Sequence, residues 1–148
     1  MSLRILVVDD HDVVRQGVRL ILRSRADWQI CGEASNGLEA LEKVTELTPD
    51  LVILDISMPG KDGLEVAAEI QGKSPRPNVL IFTMHDSKEL GAAVKSVGGK
   101  GYVTKSHAAR DLVKAVQKIA DGGEFFSLDT APASDNPGSQ GSGVDRSV

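Results

Sequence analysis

Five short apolar runs recur along the chain, and each is followed by a stretch whose apolar positions return every three or four residues. The runs are Arg4–Val8, Trp28–Ala34, Leu51–Asp55, Asn78–Thr83 and Gly101–Thr104. Several are continuous rather than alternating and rich in β-branched residues, the pattern of strands buried on both faces. After the first run, Val13, Val14, Val18, Ile21 and Leu22 predict a helix with one apolar face, and Arg15, Arg19 and Arg23 fall on the opposite, solvated side. Leu38, Leu41, Val44 and Leu47 mark a second, short helix ended by Pro49, and Leu64–Ile70 a third that follows Asp62-Gly63. Ser87–Val97 reads as a weaker helix, softened by Gly91 and bounded by Gly98-Gly99. Ala108–Ala120 is the last, with Leu112, Val113, Val116 and Ile119 inward and Gly122-Gly123 as its stop. Asp12 and Ser106 are the expected caps of the first and last helices. Phe125-Phe126 is expected to tuck back onto the core.

Strand–helix alternation of this kind predicts an α/β fold, a parallel sheet covered on both faces with right-handed crossovers. Leu51–Asp55 is its centre. Four apolar residues run into a single carboxylate, and Ser57-Met58-Pro59-Gly60 then turns the chain. In open α/β sheets chemistry collects at the carboxyl ends of the strands. Four of those ends carry Asp9-Asp10, Asp55, Thr83 and Lys105, so acid, acid, hydroxyl and amine are expected along one edge.

This set suits a phosphoryl acceptor. Clustered carboxylates repel unless a cation joins them, and a hard divalent ion with oxygen ligands, Mg2+, would relieve the repulsion. Asp10 and Asp55 would bind it directly, Asp9 directly or through water, and the Ser57 backbone carbonyl would add another oxygen. Asp55 is also the candidate nucleophile, since a carboxylate can attack phosphorus. Lys105 and Thr83 would compensate the charge on the transferring oxygens.

Composition narrows the field. The chain has 148 residues and a formal net charge of -4, enough for one ordinary domain and without the footprint of a nucleic-acid binder. Cys31 stands alone, so no disulfide can form within the chain, and it reads as a small core residue. No apolar stretch is long enough to span a bilayer and no signal-peptide pattern opens the chain, which points to the cytoplasm and away from membranes. From about Thr130 the composition shifts to Ala, Ser, Pro, Gly and Asp, a pattern expected of a disordered linker or tail; the domain is assigned to 3–127 and the tail to 128–148. His11 and His107 read as surface histidines, and Trp28 as a packing residue.

Taken together, Ile5–His11, Asp55–Gly63, Thr83 and Gly101–Lys105 resemble the receiver domain of two-component response regulators. The run Asp9-Asp10-His11 followed by Val14-Arg15-Gln16-Gly17-Val18 is similar to the branch with LuxR/FixJ-type helix-turn-helix output. The resemblance implies a flavodoxin-like, doubly wound (βα)5 three-layer sandwich with strand order 2-1-3-4-5. It also implies that a sensor histidine kinase donates its phosphoryl group to Asp55 with Mg2+ present, and that the domain catalyses only its own phosphorylation and dephosphorylation. Thr83 and Tyr102 would be the switch residues, Thr83 moving toward the phosphoryl oxygens and Tyr102 from exposed to buried. The face made by the fourth helix, fifth strand and fifth helix would then change partners, with homodimerisation on phosphorylation one outcome. Transcription would be controlled through a DNA-binding output domain absent from this chain. His85, two residues past Thr83, would rim the site and tune the phosphoryl lifetime. Many receivers have proline after the lysine, often with a cis peptide; here Ser106 follows Lys105, so that feature is not carried over. Two other readings are a phosphorylation-independent interaction module and an aspartyl-phosphate phosphatase of the haloacid-dehalogenase type. Ser57 stands where such a phosphatase carries a second acid, which weighs against it.

Overall fold

The computed structural model describes residues 2–126. The chain runs β1 (Leu3–Val8), α1 (Asp12–Leu22), β2 (Trp28–Ala34), α2 (Gly37–Leu47), β3 (Leu51–Asp55), α3 (Gly63–Ile70), β4 (Asn78–Thr83), α4 (Leu90–Ser96), β5 (Gly101–Thr104), a 3-10 turn (Lys105–His107), α5 (Ala108–Ala120) and β6 (Phe125–Phe126). The sheet order is β2-β1-β3-β4-β5-β6, and every pairing is parallel. The fold is therefore the expected flavodoxin-like sandwich with a sixth strand added at the β5 edge. The expected tail over 128–148 lies outside the described residues.

Alternation along the buried strands sorts the core into two layers. Leu6, Val8, Val52, Leu54, Val79 and Ile81 face one side and pack with Ala40, Val44, Val66, Ile70 and Val94 from α2, α3 and α4. Ile5, Val7, Leu51, Ile53, Leu80, Phe82 and Val103 face the other and pack with Val18, Leu22, Leu112, Val116 and Ile119 from α1 and α5. All five residues of β3 are buried, which makes it the two-faced floor beneath Asp55.

Some local expectations are corrected. Asp12 does not cap α1: the N-cap is His11, without a side-chain cap bond, and the Asp12 carboxylate instead accepts from Arg15 at 2.9 Å. Ser106 does not cap α5 either, because a 3-10 turn intervenes and His107 is the N-cap. Val13 is 78% and Leu38 66% exposed, so the apolar faces of α1 and α2 are narrower than their periodicity suggested. The register of β1 against β2 shifts after Ile5 and leaves Cys31 as the extra residue; the cysteine is half-buried at a bulge, and burial pushes its thiol up. The Lys105–Ser106 peptide is trans, the one cis bond among the described residues being Ser74–Pro75.

Phe125-Phe126 does more than tuck in. It pairs with Gly101 and Tyr102, and a Cβ at residue 101 would lie 1.9 Å from the Phe125 carbonyl oxygen. Glycine is what lets this backbone approach.

A second glycine sets the distance between α3 and the end of β3. Asp62 and Glu65 form a capping box at the start of α3, and the Gly63 amide donates to the Ile56 carbonyl at 2.9 Å. A Cβ on Gly63 would lie 2.2 Å from the Asp55 carbonyl oxygen and 2.8 Å from the Ile56 Cα. Gly63→Ala is therefore expected to lose about 2 kcal/mol of stability through backbone displacement, measured by urea denaturation against wild type.

Candidate functional site

Parallel pairing delivers the four strand ends in step. Val8 aligns with Leu54, Asp55 with Phe82 and Thr83 with Thr104, so Asp9, Asp55, Thr83 and Lys105 all leave the sheet at its carboxyl edge. Asp9 and Asp55 are 1% and 2% exposed, whereas Asp10 is partly open. Lys105 Nζ reaches Asp9 Oδ2 at 2.7 Å and Asp55 Oδ1 at 3.3 Å. One carboxylate oxygen each from Asp9, Asp10 and Asp55, together with a ring nitrogen of His11, lie within 4.8 Å of one another.

The charges do not balance. Three carboxylates gather with the His11 ring, and the Lys105 ammonium pairs with two of them, Asp9 and Asp55. Unit charges about 4 Å apart at an effective dielectric near 20 interact by about 4 kcal/mol, so one lysine cannot offset three acids. Burial and then the Asp9 charge push the Asp55 carboxyl above the ordinary carboxylate range, and Lys105 only partly opposes them. Asp55 Oδ2 is buried without a hydrogen-bond partner. Asp9 Oδ2 and Asp10 Oδ1 are likewise buried, and ion-pair contacts to Lys105 and His11 are what reach them. Buried, under-satisfied carboxylate oxygens are the kind of donor a hard divalent cation takes, so Asp9, Asp10 and Asp55 could hold one.

The remaining expected residues are placed as follows. The Ser57 amide donates to Asp55 Oδ1 at 3.3 Å, holding the turn that carries the Ser57 carbonyl. Thr83 is buried, and its hydroxyl oxygen accepts from the exposed His85 amide at 3.3 Å. Tyr102 is in the buried position, its hydroxyl donating to Asp86 Oδ1 at 2.9 Å and its ring meeting Phe126 edge-on at 6.1 Å.

Two features escaped the sequence reading. His11 is at the surface as expected, but its ring nitrogen also lies 3.2 Å from Asp9 and 3.1 Å from Asp10, a contact the pattern did not announce. Arg15 is not on a solvated face, being 15% exposed and joined to Glu33 at 2.9 Å. Burial pushes the Glu33 carboxyl up, but hydrogen bonds and charge from Arg19 and Arg15 outweigh it and hold the group below its usual 4.5. The arginines stand at helical spacing, which identifies their face but not the β2 carboxylate opposite.

Residues 5–117 match the family model of the response regulator receiver domain. The chain belongs to that family. It is 37% identical over 127 residues to the oxygen regulatory protein NreC of Staphylococcus epidermidis, covering 85% of this chain and 58% of that protein. It is 35% identical, again over 127 residues, to the response regulator protein VraR of Staphylococcus aureus, covering 85% and 60%. The receiver thus spans about three fifths of the length of these curated relatives. The crystal structure of a LuxR-family two-component response regulator from Aurantimonas sp. SI85-9A1 superposes with a TM-score of 0.82 at 35% identity, covering 86% of this chain and 91% of that one. The phosphatase reading is not favoured by these likenesses.

The electrostatics of this receiver carry a stability prediction. A carboxyl raised above its usual 3.8 binds its proton more tightly in the native state than in the unfolded chain. Stability therefore falls as pH rises through the window from 3.8 to the raised value. Asp55→Asn removes this loss. In EDTA at pH 7 the variant is expected to melt several degrees above wild type in a thermal scan, and saturating Mg2+ should narrow the gap by stabilising the wild type more than the variant.

Proposed function

We propose that this receiver accepts a phosphoryl group from the phosphohistidine of a sensor kinase onto Asp55, with Mg2+ held by Asp10, Asp55 and the Ser57 carbonyl and by Asp9 directly or through water. The observation that supports this best is Asp55 itself: a buried carboxylate with one oxygen engaged by Ser57 and Lys105 and the other unpartnered. When bound, the cation would draw the acidic oxygens together and neutralise charge on the incoming phosphoryl oxygens.

The chain's own residues do the rest. An oxygen of Asp55 forms the new O–P bond as the kinase N–P bond breaks, and the electron pair stays on the kinase imidazole, which then takes a proton from solvent. Lys105, poised between Asp9 and Asp55, shifts its charge toward the transferred group. The Thr83 hydroxyl, whose oxygen accepts from the His85 amide, donates its O–H to a phosphoryl oxygen. Tyr102, already buried against Asp86 and Phe126, sits where that movement of the β4 end would be felt, and His85 rims the entrance and tunes the lifetime. The chemistry is confined to the domain's own phosphorylation and dephosphorylation.

No helix among the described residues is long and apolar enough to cross a membrane; the location proposed for this receiver is the cytoplasm. Transcriptional control through a separate output domain completes the reading, supported by a relative named as a transcriptional regulatory protein, with DNA contacted only there and homodimerisation on phosphorylation as a further partner state.

Intact-protein mass spectrometry after incubation with Mg2+ and acetyl phosphate tests the reading. Wild type should gain one phosphoryl mass, whereas Asp55→Asn and EDTA-treated wild type should gain none. Wild type that neither gains mass nor binds Mg2+ would leave the phosphorylation-independent module as the better account.

A further inference from the structure

We propose that Arg15 is a positioning residue for the cation site: its guanidinium, anchored on Glu33, clamps the Asp9 carbonyl and thereby sets the turn that presents Asp10. The inference rests on reading the acidic cluster as a Mg2+ site.

The geometry is a three-point clamp. Arg15 Nε donates to Glu33 Oε1 at 2.9 Å, Nη2 to Asp12 Oδ1 at 2.9 Å, and Nη1 to the backbone carbonyl of Asp9. These partners come from β2, the first turn of α1 and the exit of β1, so one planar group ties three elements together. A guanidinium offers five donors in a rigid fork; a lysine ammonium cannot hold three separated acceptors in one plane.

What Arg15 completes is the restraint of Asp9. The Asp9 amide donates to the Ala34 carbonyl at 3.0 Å. Its Oδ1 accepts from the His11 amide at 2.8 Å, and its Oδ2 meets Lys105. The carbonyl is the group left, and it lies in the same planar peptide unit as the Asp10 amide. Fixing that oxygen fixes the plane from which the Asp10 Cα departs. Without the clamp the peptide can rotate, and the Asp10 carboxylate moves relative to Asp55.

The anchor is itself fixed. Glu33 is paired with Val7 in the sheet, also binds Arg19, and its backbone carbonyl accepts from Lys43. Glu33 therefore transmits the rigidity of the sheet to the turn, as an outer-shell partner does for a metal ligand. A brace that served folding alone would change the melting temperature and leave cation affinity untouched.

The test is a MgCl2 titration of the 15N-labelled whole chain, following the Asp9–His11 amides well below the melting temperature. Wild type, Arg15→Ala, Arg15→Lys and Glu33→Gln are compared. Arg15→Ala should bind Mg2+ about tenfold more weakly, the lower end of outer-shell effects. Arg15→Lys should recover little of this, and Glu33→Gln should fall between. Acetyl phosphate labelling of the variants should slow at low Mg2+ and return to the wild-type rate at saturation. A folded Arg15→Ala with wild-type Mg2+ affinity overturns the proposal. Should that variant fail to fold, wild-type affinity in both Arg15→Lys and Glu33→Gln overturns it. Absence of any Mg2+ response in wild type is a different result, which removes the metal reading and this inference with it.

Discussion

Three carboxylates gathered around one lysine at the end of a buried strand dominate the physics of this receiver. Taking Asp9 and Asp55 out of water is unfavourable, and placing them beside each other adds repulsion that Lys105 relieves only in part. An isolated loop could not hold such a group together; it would open and solvate its charges. The parallel sheet can, because the strands that carry the acids are locked by backbone pairing and by apolar packing on both faces. Burial of β3 on two sides is thus the condition for holding Asp55 in this acidic cluster as well as a source of stability. A site strained in this way is poised to gain from a cation or a phosphoryl group.

Support around that edge is uneven. On the β1 side, Asp9 is held through amide, carbonyl and both carboxylate oxygens. Its neighbours Arg15 and Glu33 tie α1 to the sheet. On the β4 side, Met84–Glu89 are all exposed, and α4 is seven residues long with no side-chain cap. Few buried contacts and an uncapped short helix are marks of a segment with low local stability. The cation would therefore meet a rigid wall, while a change at Thr83 would be passed to the softer one, where Tyr102, Asp86 and Phe126 meet.

The sixth strand extends that softer wall. Phe126 lies against Tyr102 and beneath the Lys95 ammonium, so the last described residues sit on the aromatic proposed as a switch. The glycine at 101 is what allows this contact.

The fold and the four strand-end groups were legible in the linear pattern, because burial on two faces demands continuous apolar runs and parallel strands must share an edge. Asp55, Thr83 and Lys105 could be named from their places at the ends of such runs. Periodicity reports which face a residue occupies and nothing about what stands opposite. For that reason Arg15 read as solvated although Glu33, on β2, lies against it; His11 is at the surface as read, but its contact with Asp9 and Asp10 was not legible. The cap assigned to Asp12 failed because its carboxylate turns to Arg15 of the same helix, and that assigned to Ser106 because a 3-10 turn precedes α5; two-residue β6 is too short to show a period. The sequence by itself determined the strands, their layers and the chemistry at their ends, since these follow from hydrophobic burial. Tertiary structure alone decided which charges meet, since an ion pair needs two side chains within a few ångströms and that distance exists only once the chain has folded.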